Sequence, residues 1–266
     1  MWYIILCILE VAHFCVHHSK GNKMDIFNSW VVNKYVAHRG LHDDTHPENT
    51  LSAFQNAIDH EYVIELDVLP LEDGTPIVFH DSTLTRMTGQ DGYVKKIKDV
   101  DELKQYIIKD SKEKIPTLKE VLELVNGQTQ IIIEIKDYDI NSGFEQTLYD
   151  VLKGYSGEYA IMSFNPYALK WFKLHAPDVL RGQLSCYFKG EKMAWYKKFL
   201  LKRMKLNKKV SEPHFIAYKW DEVPNRFVKR YNKLPLLVWA VPSQSDYMKV
   251  AKHCDNIIFE GFLPRI

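Results

Sequence analysis

The chain has 266 residues, of which 46% are hydrophobic and 26% charged, with 35 Lys+Arg against 34 Asp+Glu and a net charge of +1. That composition excludes a disordered or collagen-like chain, and a near-neutral sum gives no global reason to expect nucleic-acid binding. The length suits one α/β barrel of roughly 250 residues with little left over.

In chain order, the first element is an apolar stretch, Met1 to Val16, followed by His17, His18, Lys20 and Lys23. Glu10 and His13 interrupt it, and a spanning helix needs about 20 apolar residues. No basic residue precedes the run, and no small-residue cleavage site follows it, as a secretory signal would require. Residues 1–30 are therefore set apart as an apolar N-terminal segment. Three readings stay open for it: a short membrane anchor, an interfacial helix, or a helix closing the bottom of a barrel. Cys7, Cys15, Cys186 and Cys254 form no CxxC pair, so neither a zinc site nor a redox site is supported, and the thiols read as inert.

From residue 31 onward, β-rich runs alternate with helical patterns, which argues for βα units and a parallel sheet. The runs are Lys34–His38, Tyr62–Val68, Pro76–His80, Gln130–Lys136, Tyr159–Ser163, Leu180–Leu184, His214–Tyr218, Leu236–Val241 and Asn256–Glu260. Between them, Leu51, Phe54, Ala57 and Ile58 form a one-face helical stripe. Thr117 with Glu120 reads as a capping box opening a helix that stops before Asn126-Gly127. Nine runs are one too many for an eight-stranded barrel. Only LPLEDGT separates Val68 from Pro76, and parallel neighbours need a crossover of about a dozen residues. Pro76–His80 is therefore expected to fold back as a hairpin, with residues 70–116 forming an insertion over the C-terminal rim, where such barrels carry their sites.

Ionisable groups gather at the ends of these runs. Glu65 and Asp67 lie two apart on an apolar strand and so point to one face, the barrel interior. Glu134 and Lys136 repeat that arrangement in IIIEIK. Buried carboxylates side by side are poorly solvated and repel. A hard divalent cation, Mg²⁺ or Ca²⁺, would relieve that cost; a salt-bridge network of Glu134 with Lys136 or Arg39 is the alternative. His38 and His80, at the ends of their runs, are the acid–base candidates. Asp81 is either the partner that orients an imidazole or a turn residue. The remaining histidines, His42 and His214 among them, have no comparable context.

In this order, His38-Arg39-Gly40, Pro47-Glu48-Asn49-Thr50, Glu65-Leu66-Asp67-Val68, Asp73-Gly74, Val78-Phe79-His80-Asp81 with Leu84 and Arg86, and Ile133-Glu134-Ile135-Lys136 resemble the glycerophosphodiester phosphodiesterase family. Ser163-Phe164-Asn165, Arg181-Gly182-Gln183, Val238-Trp239-Ala240-Val241 and Ile257-Ile258-Phe259-Glu260 extend the resemblance from about Tyr35 to the C-terminus. It implies a TIM (β/α)8 barrel with a small insertion after the second barrel strand, and metal-assisted hydrolysis of glycerophosphodiesters to glycerol 3-phosphate and an alcohol. It implies Glu65, Asp67 and Glu134 as metal ligands and His38 and His80 as the acid–base pair. Arg39, Glu48, Lys136, Phe164 and Trp239 are implied to contact the substrate. Two positions depart from the family pattern: Met87-Thr88 after Arg86, and Glu260 where Asp or Asn is usual. Neither is expected to touch the core site.

Residues 189–209 hold nine Lys/Arg against one Glu, a local charge of +8, leaving −7 for the rest. The segment reads either as a solvated basic helix or as an interfacial helix on anionic lipid. The expected partners are a small-molecule glycerophosphodiester and, as a candidate, an anionic membrane surface; no nucleic acid is expected. The alternative activity is a lysophospholipase D or phospholipase-like phosphodiesterase acting on membrane lipid. A non-catalytic scaffold on a degenerate barrel is disfavoured, because both histidines and all three carboxylates are present.

Overall fold

The computed structural model describes residues 25–137, 139 and 142–265. The expectations for residues 1–16 fall outside that range. Among the described residues, no helix is long and apolar enough to cross a membrane.

The strands are β1 (Val36–Ala37), β2 (Val63–Pro70), β3 (Pro76–Val78), β4 (Ile131–Ile135), β5 (Tyr159–Ser163), β6 (Leu180–Ser185), β7 (Phe215–Lys219), β8 (Leu236–Val241) and β9 (Asn256–Phe259). Eight of them pair in parallel, and β1 closes the barrel by pairing with both β2 and β9. The ninth, β3, returns antiparallel on β2 with Val68 opposite Val78 and Pro70 opposite Pro76. The short linker thus forces the hairpin that the sequence predicts. Gly74, at φ +86°, sits at the turn.

Helices α1 (Leu51–Asp59), α2 (Leu118–Val125), α3 (Phe144–Leu152), α4 (Pro166–His175), α5 (Trp195–Lys202) and α6 (Gln244–Val250) lie between strands. Thr50 caps α1 through Ala53 N, and Thr117 with Glu120 completes the expected capping box on α2. The outward faces of the strands, including Ile64, Leu66, Ile131, Ile133 and Ile161, pack on Phe54, Leu122, Leu148 and Phe172 of the helices. All eight residues of β2 are buried, as a strand covered on both faces must be.

The lumen has two storeys. Val36, Val63, Ile132, Leu180, Phe215 and Ile258 fill the lower part. The same strand faces continue upward as His38, Glu65, Asp67, Glu134, Lys136 and Glu260, because strand side chains repeat every second residue. Gly182 is tied to this filling, since a Cβ there would collide with the Phe215 ring. The insertion carries its own small core of Leu69, Ile77, Phe79, Leu84, Val94, Leu103 and Ile115. It is therefore a packed cap on the rim, not a loose loop. The two described cysteines, Cys186 and Cys254, are unpaired, and burial pushes their thiols up to about 11 and about 12, which suits the inert reading.

Candidate active site

Glu65 and Asp67 are fully buried and Glu134 is 5% exposed. One carboxylate oxygen from each lies within 4.8 Å of the others. Glu65 Oε1 has no hydrogen-bond partner among the described residues. Its other oxygen accepts from the Arg39 backbone N–H at 3.0 Å. Asp67 Oδ1 and Glu134 Oε1 face the Lys136 ammonium at 3.3 and 2.8 Å. Burial, reinforced by the charges of Asp67 and Glu134, drives the Glu65 pKa well up, and burial raises Glu134 to about 7 against the pull of Lys136. Burial works in the same direction on Asp67, but Lys136, His80 and Arg39 outweigh it and hold that carboxyl ionised. An all-oxygen cluster with one orphaned buried oxygen and two carboxyls strained towards protonation fits a hard divalent cation. One lysine cannot compensate all three acids, so the ion pairs of Lys136 and Arg39 do not by themselves account for the cluster.

Two histidines stand at the mouth beside this cluster, each oriented by a carboxylate. His38, directly after β1, donates from Nδ1 to Glu260 Oε2 at 2.5 Å, which leaves Nε2 pointing inward, 3.9 Å from Glu65 Oε2. The hydrogen bond from His38 and the nearby His42 ring hold the Glu260 carboxyl below the usual range. His80, carried on the hairpin return, bonds through Nδ1 to Asp81 Oδ1 at 2.6 Å. Burial lowers its pKa, opposed by Asp67 and aided by Lys136 and Arg39, so the ring favours the neutral form.

Arginines lock the rim. Arg39 donates to Glu48 Oε1 at 2.7 Å and lies 3.3 Å from Asp67 Oδ2. Arg86 takes both Glu48 oxygens, at 2.9 and 2.7 Å, and reaches Asp81 Oδ2 at 2.6 Å. A continuous ionic chain therefore runs Asp67–Arg39–Glu48–Arg86–Asp81–His80 and ties barrel to insertion. The backbone is unusual where that chain begins: Arg39 and Asn49 hold φ +56° and +57°. Gly40 follows at φ +80°, and a Cβ there would stand 2.9 Å from the Ala53 backbone. Asn49 uses both ends of its amide on Asp67, donating to Oδ2 at 2.9 Å and accepting from its N–H at 3.3 Å.

The aromatic pair also assembles. Phe164 and Trp239 stand edge to face at 5.5 Å between centroids. Strand alternation puts Trp239 on the same inward face as Leu237, with Val238 on the other face. All ten expected site residues, His38, Arg39, Glu48, Glu65, Asp67, His80, Glu134, Lys136, Phe164 and Trp239, thus surround one mouth at the C-terminal rim.

One expectation is corrected. Glu260 touches the core directly, through His38, and His42 lies 3.9 Å from the same carboxylate. The alternation Ile258, Glu260 on an inward face was the available signal. Asn49, Asp81 and Arg86 gain positioning contacts that no strand periodicity could reveal, because they sit in loops and the insertion.

The model of the glycerophosphoryl diester phosphodiesterase family matches residues 38–259. A "Glycerophosphodiester phosphodiesterase" of Caldanaerobacter subterraneus subsp. tengcongensis is 38% identical over 56% of this chain and 65% of its own. "Glycerophosphodiester phosphodiesterase 1" of Bos taurus is 34% identical over 39% of this chain and 34% of its own. The chain thus spans less than two thirds of the length of these curated relatives. Among solved structures, a phosphodiesterase of Oleispira antarctica in complex with the product sn-glycerol-3-phosphate superposes with a TM-score of 0.73 at 23% identity. It covers 86% of this chain and 93% of that one. A glycerophosphodiester phosphodiesterase of Thermotoga maritima gives 0.64 at 26% identity, over 85% and 93%. With a barrel of the same kind and a family match spanning every strand but the first, the chain belongs to the glycerophosphoryl diester phosphodiesterase family.

Proposed function

We propose that the protein hydrolyses glycerophosphodiesters to glycerol 3-phosphate and an alcohol, with a divalent cation, Mg²⁺ or Ca²⁺, held by Glu65, Asp67 and Glu134. The observation that carries this reading is three buried carboxylates meeting between two imidazoles, each imidazole fixed by its own carboxylate.

A phosphodiester carries one negative charge, and its transition state places more on the phosphoryl oxygens. A cation held by Glu65, Asp67 and Glu134 would supply charge neutralisation at those oxygens. Arg39 and Lys136 add fixed positive charge beside the acids. Asn49 and the Arg39 amide hold Asp67 and Glu65 in place. Glu260 accepts from His38 Nδ1, so Nε2 faces the cluster and is the nitrogen available to take or give a proton. Asp81 does the same for His80. One histidine takes a proton from the attacking hydroxyl and the other gives one to the leaving alcohol oxygen. Phe164 and Trp239 wall the glycerol moiety.

The test is release of glycerol 3-phosphate from glycerophosphocholine, followed by ³¹P NMR. Turnover should require Mg²⁺ or Ca²⁺, stop on exhaustive chelation and return on adding the ion back. Undiminished turnover after chelation would assign Glu65, Asp67 and Glu134 to a salt-bridge network instead.

A further inference from the structure

Glu260 stands between two imidazoles. One ligand atom each of His38, His42 and Glu260 lies within 4.8 Å of the others, the one such group among the described residues besides the three buried carboxylates. Strand pairing and one turn assemble it. β1 pairs with β9 so that Ala37 stands opposite Phe259, which brings the residues that follow, His38 and Glu260, side by side. The chain then turns at Gly40, and α1 pins Leu41 through both of its backbone groups. Its N–H donates to Ala53 O at 3.0 Å, and its carbonyl accepts from Asn56 Nδ2 at 2.7 Å. His42 is thereby returned to the Glu260 carboxylate.

His38 bonds Glu260 Oε2 through Nδ1 at 2.5 Å. His42 Nε2 stands 3.9 Å from the same oxygen, buried and without a hydrogen-bond partner among the described residues. A histidine placed only to neutralise the carboxylate would close on it to about 2.7–2.9 Å. Two ligands of a tetrahedral Zn²⁺ stand about 3.3 Å apart, given bonds of about 2.0–2.2 Å to nitrogen and oxygen. The observed 2.5 and 3.9 Å straddle that edge. Side-chain adjustments of less than about 1 Å therefore close a three-ligand shell. The side chains of His38, His42 and Glu260 are 14%, 25% and 35% exposed, which leaves a path for the ion and a fourth position for water. Two imidazoles and one carboxylate suit a borderline ion such as Zn²⁺, whereas the neighbouring all-oxygen cluster suits a hard one.

We infer that His38, His42 and Glu260 form a second metal site, which binds Zn²⁺ and thereby inhibits the enzyme. The site itself goes beyond the phosphodiesterase reading, and only the inhibition rests on that reading. Zinc takes the Nδ1 lone pair of His38 in place of the proton donated to Glu260. That proton passes to Nε2, or to solvent where Nε2 already holds one. As acid or as base, His38 has to alternate between one ring proton and two. With zinc on Nδ1, the ring carries a single proton on Nε2 and holds it more tightly than an imidazolium does. Neither role is then open to it.

The experiment titrates Zn²⁺ into the enzyme at saturating Mg²⁺ or Ca²⁺. A chromophoric indicator follows free zinc, and release of glycerol 3-phosphate from glycerophosphocholine follows turnover. The wild type should bind a zinc that His42→Ala binds roughly 10- to 100-fold more weakly. Turnover should fall by roughly 10²-fold or more as that zinc binds, and His42→Ala should need correspondingly more zinc for the same loss. His46→Ala, in the exposed turn beyond His42, should shift neither curve. Co²⁺ in place of Zn²⁺ should give the wild type the intense visible bands of a four-coordinate ion, a readout that needs no variant to fold. Equal zinc affinity in wild type and His42→Ala overturns the site. So does a loss in His46→Ala as large as in His42→Ala, or cobalt with only weak six-coordinate bands. Zinc uptake that depends on His42 yet leaves turnover unchanged overturns the inhibition and keeps the site. Absence of turnover before any zinc is added overturns the phosphodiesterase reading, and the binding and cobalt measurements still decide the site.

Discussion

The two ends of the barrel use polar residues in opposite ways. At the N-terminal end, side chains close on backbone. Asn256 donates to Val31 O and Lys34 O at 2.8 and 2.6 Å, Arg181 to Pro177 O and Val179 O at 3.0 and 2.8 Å, and Thr129 to Tyr62 O at 2.8 Å. His214 accepts from the Arg181 N–H through Nδ1 at 3.1 Å. At the C-terminal rim, ion pairs join side chains to one another, and Glu65 Oε1, Asn165 Nδ2 and Trp239 Nε1 have no hydrogen-bond partner among the described residues, against Arg181 Nε at the other end. Backbone partners are supplied by the fold itself, so polar residues there stitch the structure. Side-chain partners with idle atoms left over are poised for something outside the chain. The histidines make the contrast concrete: His214 ends on an amide, whereas His38 and His80 end on carboxylates and keep one nitrogen for the mouth.

The largest expected effect breaks the rim alone. His38→Ala or His80→Ala should lower kcat for glycerophosphocholine by roughly 10²- to 10⁴-fold with the thermal midpoint nearly unmoved. Near wild-type turnover in either variant would remove that histidine from the acid–base role.

A smaller effect separates orientation from chemistry. Glu260→Gln should lower kcat by roughly 10- to 100-fold, as loss of a histidine-orienting carboxylate does elsewhere, with KM little changed. Glu260→Asp should recover part of the loss. A Gln variant as active as the wild type would make the contact of Glu260 with His38 incidental.

The smallest effect belongs to the opposite end and to stability. Burial, with the nearby Arg181 charge, lowers the His214 pKa from 6.5 to about 4. The unfolded chain therefore binds this proton first as pH falls. The contribution of His214 is fully present above about pH 6.5 and is lost progressively down to about pH 4. Because the ring is partly exposed, about 1–2 kcal/mol is the expected loss, less than the full shift would give. Thermal midpoints of the wild type should fall on acidification through that window, and His214→Gln should flatten the fall. Equal slopes in both proteins would show that His214 has no part in acid sensitivity.

Much of this molecule was legible in the chain. Nine β-rich runs appear near their observed places, and the seven-residue gap after Val68 identifies the hairpin, because no parallel crossover fits in it. Glu65 and Asp67 share a face with Val63, and Glu134 and Lys136 with Ile132, so alternation alone aimed four site residues into the lumen. The partner of His38 and the contacts of Glu48 were less accessible, whereas Asp81 stands beside His80 in the chain. Glu260 meets His38 only because β9 pairs with β1 across 222 residues of sequence. Arg86 meets Glu48 only because the insertion packs as a cap with its own core.

The sequence by itself determined strand periodicity, turn positions and caps and pointed to the candidate reacting groups, all of which depend on neighbours a few residues apart. Barrel closure decided that Glu260 orients His38. It also decided that His42 comes to the same carboxylate. Those relations depend on register and on long-range packing, and short-range patterns do not encode them.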